Sequence, residues 1–207
     1  MSLRFEQDGR VRRITLAAAS RRNVFDPALA TEFLSELAHA ASDPETGAIL
    51  LDAEGPVFCA GAESLADLPK ELFTFGQSVE KPVVVAVQGV ALSAGLALIA
   101  NAHVAVAAQG SSFGLTEIRD GRSHAGLLEA VARALGQRRT VELALTGRIF
   151  STPEALTWGL VHSVAPAFEL DDRATAAATA LANASAEAVK AVLALRSQSG
   201  VKATTSA

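Results

Sequence analysis

The sequence predicts an α/β protein, and three observations support that class. Short apolar runs rich in Val and Ile, such as Val83–Val87, have the length and composition of buried strands. Between them lie segments whose apolar residues recur every three or four positions, which is the spacing of one helix face. Glycine and proline separate the two kinds of segment, so strands alternate with helices along the chain.

The N-terminal part begins with a predicted hairpin of residues 3–7 and 10–16, joined by a tight turn at Asp8-Gly9. Asp26 is a predicted N-cap, because Pro27 follows at the first helical position and an amphipathic helix comes after it. Three further elements are predicted before residue 80: a buried strand at Ala48–Ala53, a short apolar run at Val57–Cys59, and a helical or partly mobile segment at residues 65–79.

Residues 81–108 are the segment around which the rest of the chain is organised. They are predicted as a strand (Val83–Val87), small residues (89–95), a short helix (96–102) and a second strand (103–107). Small residues let the backbone approach a ligand, and the N–H groups at a helix start favour negative charge, so an oxyanion or anion site is one interpretation. Taken alone, the same residues fit better a tightly packed core element rich in Ala and Gly. Although this segment is long and nearly uncharged, polar residues and glycines interrupt it and Ala dominates it, so no membrane span is predicted.

The C-terminal half is predicted as mainly helical, with a short strand or loop at 111–115 and a strand at 161–164. The predicted helices are residues 127–135, 139–145, a short helix after the capping box 151–154, 171–183 and 185–197. The last helix is expected to bury Val189, Val192 and Leu193, and residues 201–207 are expected to be frayed. The chain is divided into a core of residues 1–166 and a short helical segment of residues 167–207.

Composition excludes several classes of function. The net charge is −4 and basic residues do not cluster with aromatic ones, so no nucleic-acid partner is expected. The single cysteine, Cys59, rules out an internal disulfide and favours a reducing compartment, and the polar N-terminus shows no signal peptide; a cytoplasmic location is therefore expected. No metal-ligand cluster or redox-cofactor motif is recognisable, so neither a metal nor a flavin is expected.

Five segments stand in a particular order along the chain. They are FCAGAE (58–63), KPVVVAVQGVALSAG (81–95), FGLTE (113–117), ELALTGR (142–148) and EALTWGLV (154–161). Together, over about residues 3–195, they resemble the crotonase superfamily, the enoyl-CoA hydratase/isomerase family, and Arg22-Asn23 matches the family's N-terminal loop.

The resemblance implies a spiral of β-β-α units with C-terminal helices, and a site for acyl-CoA thioesters. CoA would be part of the substrate, and no separate cofactor is implied. Position by position, the two backbone N–H donors that hold the thioester oxygen as it becomes an enolate should belong to Ala62 and Ala94. Such preformed donors supply a few kcal/mol of stabilisation to the developing charge.

The acid/base residues decide which reaction is expected. Hydratases of the family use two carboxylates; the later one is present as Glu117, but the earlier one falls at Ala97, which cannot titrate. A single carboxylate can still move a proton between C2 and C4 of an enolate. The resemblance therefore favours isomerisation of a 3-enoyl to a 2-enoyl thioester, with Glu117 as the proton shuttle.

Residues 119–126 depart from the Gly-rich segment that usually follows the acid in this family. They place Asp120, Arg122 and His124 near the expected site, and His124 is a second candidate acid/base because an imidazole titrates near neutrality. The family's CoA contacts and assembly also carry over: a homotrimer or a hexamer is implied. The expected CoA-binding residues are Arg22, Ala60, Gly61, Glu63 and Leu65.

Three other functions are alternatives to isomerisation. Hydration, or a related lyase reaction, would need His124, Asp120 or an ordered water to replace the carboxylate missing at Ala97. A family member that binds acyl-CoA or a partner without catalysis is a second alternative. A ClpP-like peptidase on the same spiral fold lacks support, since Ser93 has no recognisable His and Asp in the required context.

Overall fold

The computed structural model describes the backbone of residues 2–198 and the side chains of residues 2–195. Within these residues there are ten strands and eight α-helices. The strands are β1 (Leu3–Asp8), β2 (Val11–Leu16), β3 (Ala48–Ala53), β4 (Val57–Cys59), β5 (Val83–Val87), β6 (Val90–Leu92), β7 (Val104–Ala108), β8 (Ser112–Gly114), β9 (Ile149–Ser151) and β10 (Ser163–Ala165). The helices are α1 (Pro27–Ser42), α2 (Phe75–Ser78), α3 (Ala94–Asn101), α4 (Ala125–Leu135), α5 (Gln137–Thr146), α6 (Thr152–Thr157), α7 (Leu170–Ala182) and α8 (Ala186–Gln198).

The strands form two sheets. The larger has the order β1-β2-β3-β5-β7-β10 and is parallel except for the β1–β2 hairpin, while the smaller has the order β4-β6-β8-β9 and is parallel except for β8–β9. Three times in succession the chain places one strand in each sheet and then enters a helical segment. The units are β3-β4-α2, β5-β6-α3 and β7-β8-α4, so a repeated β-β-α unit builds the spiral.

The larger sheet is covered on both faces. Val83, Val85 and Val87 of β5 point into the main core, whereas Val84 and Ala86 join a second cluster on the opposite face. This second face is covered by α7, whose buried residues recur every four positions. They are Leu170, Ala174, Ala178 and Ala182. Because a parallel strand is buried on both sides, β5 reads as a continuous apolar run rather than an alternating one.

Several predicted elements agree with the structure, including the extents of β3 and β5. The Asp26 cap is confirmed, because its Oδ1 accepts a hydrogen bond from the Leu29 N–H at 2.8 Å. The capping box at Ser151 and Glu154 is confirmed as well. The hairpin turn lies one residue later than predicted, since β1 extends to Asp8 and pairs with Val11.

Other predictions were wrong. The small residues after β5 were expected to lead directly into a helix, but Val90–Leu92 first forms β6 in the second sheet. The segment 65–79 contains 3-10 turns and only one helical turn, α2. The predicted buried face of α8 is only partly covered, because Val189 and Leu193 are half-buried and Val192 is 63% exposed. The predicted frayed end, residues 201–207, lies outside the described residues.

The length and hydropathy of the described helices bear on whether any of them could cross a membrane. No single helix there is both long and apolar enough to cross a membrane. One pair, Ala167–Ala182 with Ala186–Leu195, meets the length and composition criteria together, but it is bent by 107°.

Candidate active site

The candidate site lies at the carboxyl ends of three adjacent parallel strands in the smaller sheet. β4 pairs with β6, and β6 pairs with β8. Ala62 follows β4 by three residues, Ala94 follows β6 by two, and Glu117 follows β8 by three. Since these strands run in the same direction, the two predicted donors and the predicted acid lie at one edge of the sheet, where α/β proteins commonly bind ligands.

The loop after β4 is held by strand-like pairing with the segment before α1. The Ala60 N–H donates to the Arg22 carbonyl at 3.0 Å, and the Glu63 N–H donates to the Phe25 carbonyl at 2.9 Å. The Gly61 carbonyl accepts the Phe25 N–H at 2.9 Å. These bonds use the N–H groups of Ala60 and Glu63, whereas the Ala62 N–H has no acceptor among the described residues.

The Asn23 side chain anchors the segment before α1 that pairs with the first donor loop. The side chain is fully buried, accepts the Ala18 N–H at 2.9 Å, and donates to the carbonyls of Glu54 and Val57. Its backbone has a φ of 54°, a left-handed conformation that Asn tolerates better than most residues. The buried amide therefore fixes the loop that pairs with residues 60–63.

The second donor lies at the start of α3. Ser93 precedes the helix, and its backbone has φ 54° and ψ −116°. Residues other than glycine rarely adopt this conformation. Its N–H donates to the Gly114 carbonyl, and its own carbonyl accepts the N–H groups of Leu96 and Ala97. The Ala94 N–H belongs to the first turn, has no acceptor inside the helix, and finds none elsewhere in the described chain.

Two glycines bring the donor loops into contact. A Cβ atom at Gly95 would lie 2.7 Å from the Cys59 carbonyl oxygen, and one at Gly61 would lie 3.1 Å from the Ser93 Cβ. Only glycine at position 95 lets the start of α3 lie this close to the end of β4. The backbone at Ala62 and the backbone at Ala94 are thereby held side by side.

Cys59 lies beside the donors but is chemically inactive. Complete burial raises the pKa of its thiol from the ordinary 9.0 to about 12. The thiol donates a weak hydrogen bond to the Gly61 carbonyl at 3.5 Å. Cys59 is therefore a neutral packing residue at physiological pH and not a nucleophile.

Glu117 begins a 3-10 turn, Glu117–Asp120, directly after β8. Its side chain is half-buried and lines a cavity of about 400 Å³. Among the described residues, no side chain forms an ion pair or a hydrogen bond with its carboxylate. The carboxylate is therefore available to accept a proton from a ligand in the cavity.

Ala97 and His124 are the other two positions at which an acid/base group was considered, and only His124 carries a titratable side chain. Ala97 is fully buried inside α3 and brings no titratable group to the site. His124 lines the same cavity as Glu117, but its Nδ1 accepts the Leu127 N–H at 3.2 Å and so caps α4. Its ring lies 4.7 Å from the ring of Phe73, so a structural role already occupies one nitrogen and one face.

Four of the predicted CoA-binding residues lie in or just after the first donor loop, and Arg22 lies in the segment that pairs with it. Glu63 and Arg22 are exposed, Ala60 and Leu65 are half-buried, and Gly61 is buried. Arg22 holds the loop through its carbonyl rather than its side chain. The guanidinium that faces Glu63 belongs to the preceding residue, Arg21, at 3.6 Å.

Two features of the site were missed by reasoning from sequence. The sequence gives no sign of the backbone strain at Ser93, because the strain arises only where β6 ends and α3 begins. The apolar side of the cavity comes from Leu127, Leu128 and Val141 on α4 and α5. Apolar spacing on both helices was visible, but nothing in the sequence placed the two helices beside Glu117.

The repeated β-β-α unit and the helices around it define a spiral α/β protein whose backbone loops converge at one sheet edge. The family model described as enoyl-CoA hydratase/isomerase matches residues 6–204. The chain therefore belongs to the enoyl-CoA hydratase/isomerase family, and the crotonase resemblance and fold class are confirmed.

Relatives and solved structures carry related names. The mitochondrial enoyl-CoA hydratase domain-containing protein 3 of Rattus norvegicus is 31% identical, over 89% of this chain and 66% of its own length. The mevalonyl-coenzyme A hydratase of Aspergillus fumigatus is 29% identical, over 86% of this chain and 71% of its own. A crystal structure of an enoyl-CoA hydratase from Shewanella pealeana has a TM-score of 0.89 at 29% identity, covering 97% of this chain and 82% of that one. The chain thus spans just under two thirds of the rat relative's length.

Proposed function

We propose that the protein isomerises a 3-enoyl-CoA thioester to the 2-enoyl thioester, with Glu117 as the proton shuttle. The observation that carries this proposal is that the Glu117 carboxylate has no ion pair among the described residues and follows β8, whose neighbouring strands β6 and β4 lead to Ala94 and Ala62. In this reaction Glu117 takes a proton from C2, and the electron pair moves onto the thioester oxygen through the conjugated enolate. Glu117 then returns the proton at C4, so the double bond shifts and no atom is gained or lost.

The backbone donors supply the other half of this chemistry. Negative charge develops on the thioester oxygen as the C2 proton leaves, and N–H groups already fixed in place stabilise that charge without reorganisation. The loop residues Arg22, Ala60, Gly61, Glu63 and Leu65 remain the proposed contacts for the CoA part. A homotrimer or hexamer remains the proposed assembly.

Hydration is the second candidate, and the names of the relatives favour it. Adding water across a double bond needs one group to activate water and one to protonate C2, but Ala97 stands where the second carboxylate is expected. Asp120 is exposed and ion-paired with Arg122 at 2.8 Å, and His124 caps α4 through Nδ1. Isomerisation requires neither of them.

The first test follows the ultraviolet absorbance of the conjugated enoyl thioester after addition of a 3-enoyl-CoA. We expect a rise with the wild-type protein and a loss of about a hundredfold or more in kcat for Glu117→Gln, which keeps the shape but cannot accept the proton. Glu32→Gln is the matched control, because Glu32 is an exposed carboxylate on α1 that forms no ion pair within the described part of the chain. Equal rates for Glu117→Gln and wild type would overturn the assignment of Glu117.

A second measurement separates the alternatives. Addition of a 2-enoyl-CoA should leave the conjugated absorbance unchanged if the protein is an isomerase, whereas a hydratase would lower it. Calorimetric titration with a saturated acyl-CoA should show binding in both wild type and Glu117→Gln. Binding without turnover of either substrate would replace both enzymatic proposals with a binding function.

A further inference from the structure

The Ser93 side chain stands at the N-cap of α3 and yet does not cap the helix. Serine is a preferred N-cap residue because its oxygen normally accepts an N–H from the first helical turn, and that bond usually forms from an extended backbone. Ser93 instead has φ 54° and ψ −116°, and its side chain accepts no capping hydrogen bond. The hydroxyl is therefore not committed to α3.

This hydroxyl is also largely removed from water. Ser93 is only 7% exposed, and among the described residues its Oγ forms no hydrogen bond. The oxygen is not among the described side-chain atoms that are sealed off completely without a partner, so it can still be reached. Because buried hydroxyls in proteins are nearly always hydrogen-bonded, an unpartnered hydroxyl at a candidate site indicates an acceptor that a ligand supplies.

The position of the hydroxyl connects the two donor loops. Ser93 directly precedes Ala94, and it packs against Gly61, which directly precedes Ala62. A Cβ atom at Gly61 would lie 3.1 Å from the Ser93 Cβ and 3.5 Å from the Ser93 Oγ. The O–H group of Ser93 thus adjoins the loop that carries the first backbone donor, while its own residue leads into the second.

We propose that the Ser93 hydroxyl is a third hydrogen-bond donor to the thioester oxygen and a catalytic residue of the enolate-forming step. The inference rests on the proposed function, because the acceptor is the oxygen that the Ala62 and Ala94 N–H groups would hold. Negative charge develops on that oxygen as the C2 proton leaves, and the Ser93 O–H donates to it without giving up another protein partner. Since a hydrogen bond to a charged acceptor is the stronger one, the transition state gains more than the bound substrate.

A nucleophilic role is the alternative for a serine in this conformation. A strained serine at a strand-to-helix turn, followed by a backbone N–H donor, is also the arrangement found in serine hydrolases. A serine nucleophile is activated by a base within hydrogen-bond reach. No described side chain accepts a hydrogen bond from the Ser93 Oγ, so the structure favours a donor over a nucleophile.

Two variants of Ser93 and one control test the donor. Ser93→Ala keeps the Cβ that packs against Gly61, and Ser93→Cys replaces the hydroxyl by a weakly donating thiol. Both should lower kcat for a 3-enoyl-CoA by about tenfold and leave KM nearly unchanged, since the lost bond forms mainly in the transition state. Ser111→Ala is the control, because Ser111 is equally buried but its hydroxyl already donates to the Val87 carbonyl at 3.3 Å. It should keep the wild-type kcat.

A spectroscopic measurement reports the hydrogen bond without any turnover. Infrared difference spectroscopy follows the carbonyl stretch of a bound saturated acyl-CoA that is isotopically labelled at the thioester carbon. Each donor to the oxygen weakens the C=O bond and lowers its stretching frequency. The frequency should therefore be higher in Ser93→Ala than in the wild type or in Ser111→Ala. Mass spectrometry of the wild-type protein after incubation with the ester detects any acyl-serine.

The outcomes separate this proposal from the proposed function. No turnover of any 3-enoyl-CoA, with a carbonyl frequency that rises in Ser93→Ala, would sink the isomerase proposal and support the donor. An unchanged frequency in Ser93→Ala would overturn the donor, and a loss of kcat alongside it would show that Ser93 acts only through packing. A covalent acyl group on Ser93 would replace the donor by a nucleophile. Failure of the wild type to bind the ester would overturn both proposals.

Discussion

At the scale of single residues, Ser93 is the point where backbone strain and the candidate chemistry coincide. Its φ of 54° and ψ of −116° lie in a region that only glycine occupies readily, and such strain costs about 1–3 kcal/mol. The residue ends β6, starts α3 and packs against Gly61 of the other donor loop. The strained peptide therefore sets where the Ala94 N–H points.

Ser93→Gly is expected to separate stability from activity. Relief of strain should exceed the greater entropy of glycine in the unfolded chain, so the free energy of unfolding should rise by about 1 kcal/mol. Loss of the side chain that packs against Gly61 should loosen the donors and lower kcat by about tenfold. Urea unfolding and steady-state kinetics measure the two effects.

The control for this experiment is Ser112→Gly in β8, where the backbone is an ordinary strand. That substitution should destabilise the protein by about 0.5–1 kcal/mol, since glycine weakens a strand interior. If Ser93→Gly proves as destabilising as Ser112→Gly, the strain at Ser93 has no energetic consequence.

At the scale of elements, α1 shows how a local cap supports the site. Asp26 begins the helix directly after the segment that pairs with the first donor loop. Hydrogen bonding from the Leu29 N–H is the main reason why the pKa of Asp26 is lowered, and Arg21 adds to it. The cap and the loop are therefore consecutive parts of one structure.

Asp26→Ala should lower the free energy of unfolding by about 1 kcal/mol, because the Leu29 N–H loses its acceptor. Asp26→Asn should retain most of that stability at neutral pH, since Asn is an equally good cap. In the wild type the carboxylate's contribution is present above the ordinary pKa of 3.8 and is lost as the pH falls through the lowered one. Chemical denaturation at neutral and acidic pH checks both, and equal stability of wild type and Asp26→Ala would exclude the cap's role.

The elements that the sequence predicted well are those with a local cause. Ala48–Ala53 and Val83–Val87 are continuous apolar runs, and both extents agree with β3 and β5. Val90–Leu92 escaped prediction because three residues after a glycine carry no periodicity, and they form a strand only through pairing with β4 and β8. The same holds at the site: Glu117 was found by resemblance, whereas the apolar side of the cavity, on α4 and α5, depends on tertiary packing.

At the scale of the whole molecule, the two-sheet spiral explains why the candidate site depends on long-range order. Ala62, Ala94 and Glu117 come from three successive β-β-α units and lie at one sheet edge only because β4, β6 and β8 are neighbours in one sheet. Cys59 lies at the end of β4 inside this arrangement and is fully buried. Its thiol consequently reports the opening of the site.

In the folded protein, Cys59 should resist alkylation at neutral pH, and its modification rate should follow the unfolded fraction during denaturation. The raised pKa also couples Cys59 to stability: between the ordinary 9.0 and about 12, the unfolded chain loses the thiol proton while the folded protein keeps it. Stability should therefore fall as the pH rises above 9, and Cys59→Ala should lose this part of the pH dependence. Rapid alkylation of the native protein by iodoacetamide, at a rate independent of denaturant, would show that the strand edge carrying the candidate site opens without global unfolding.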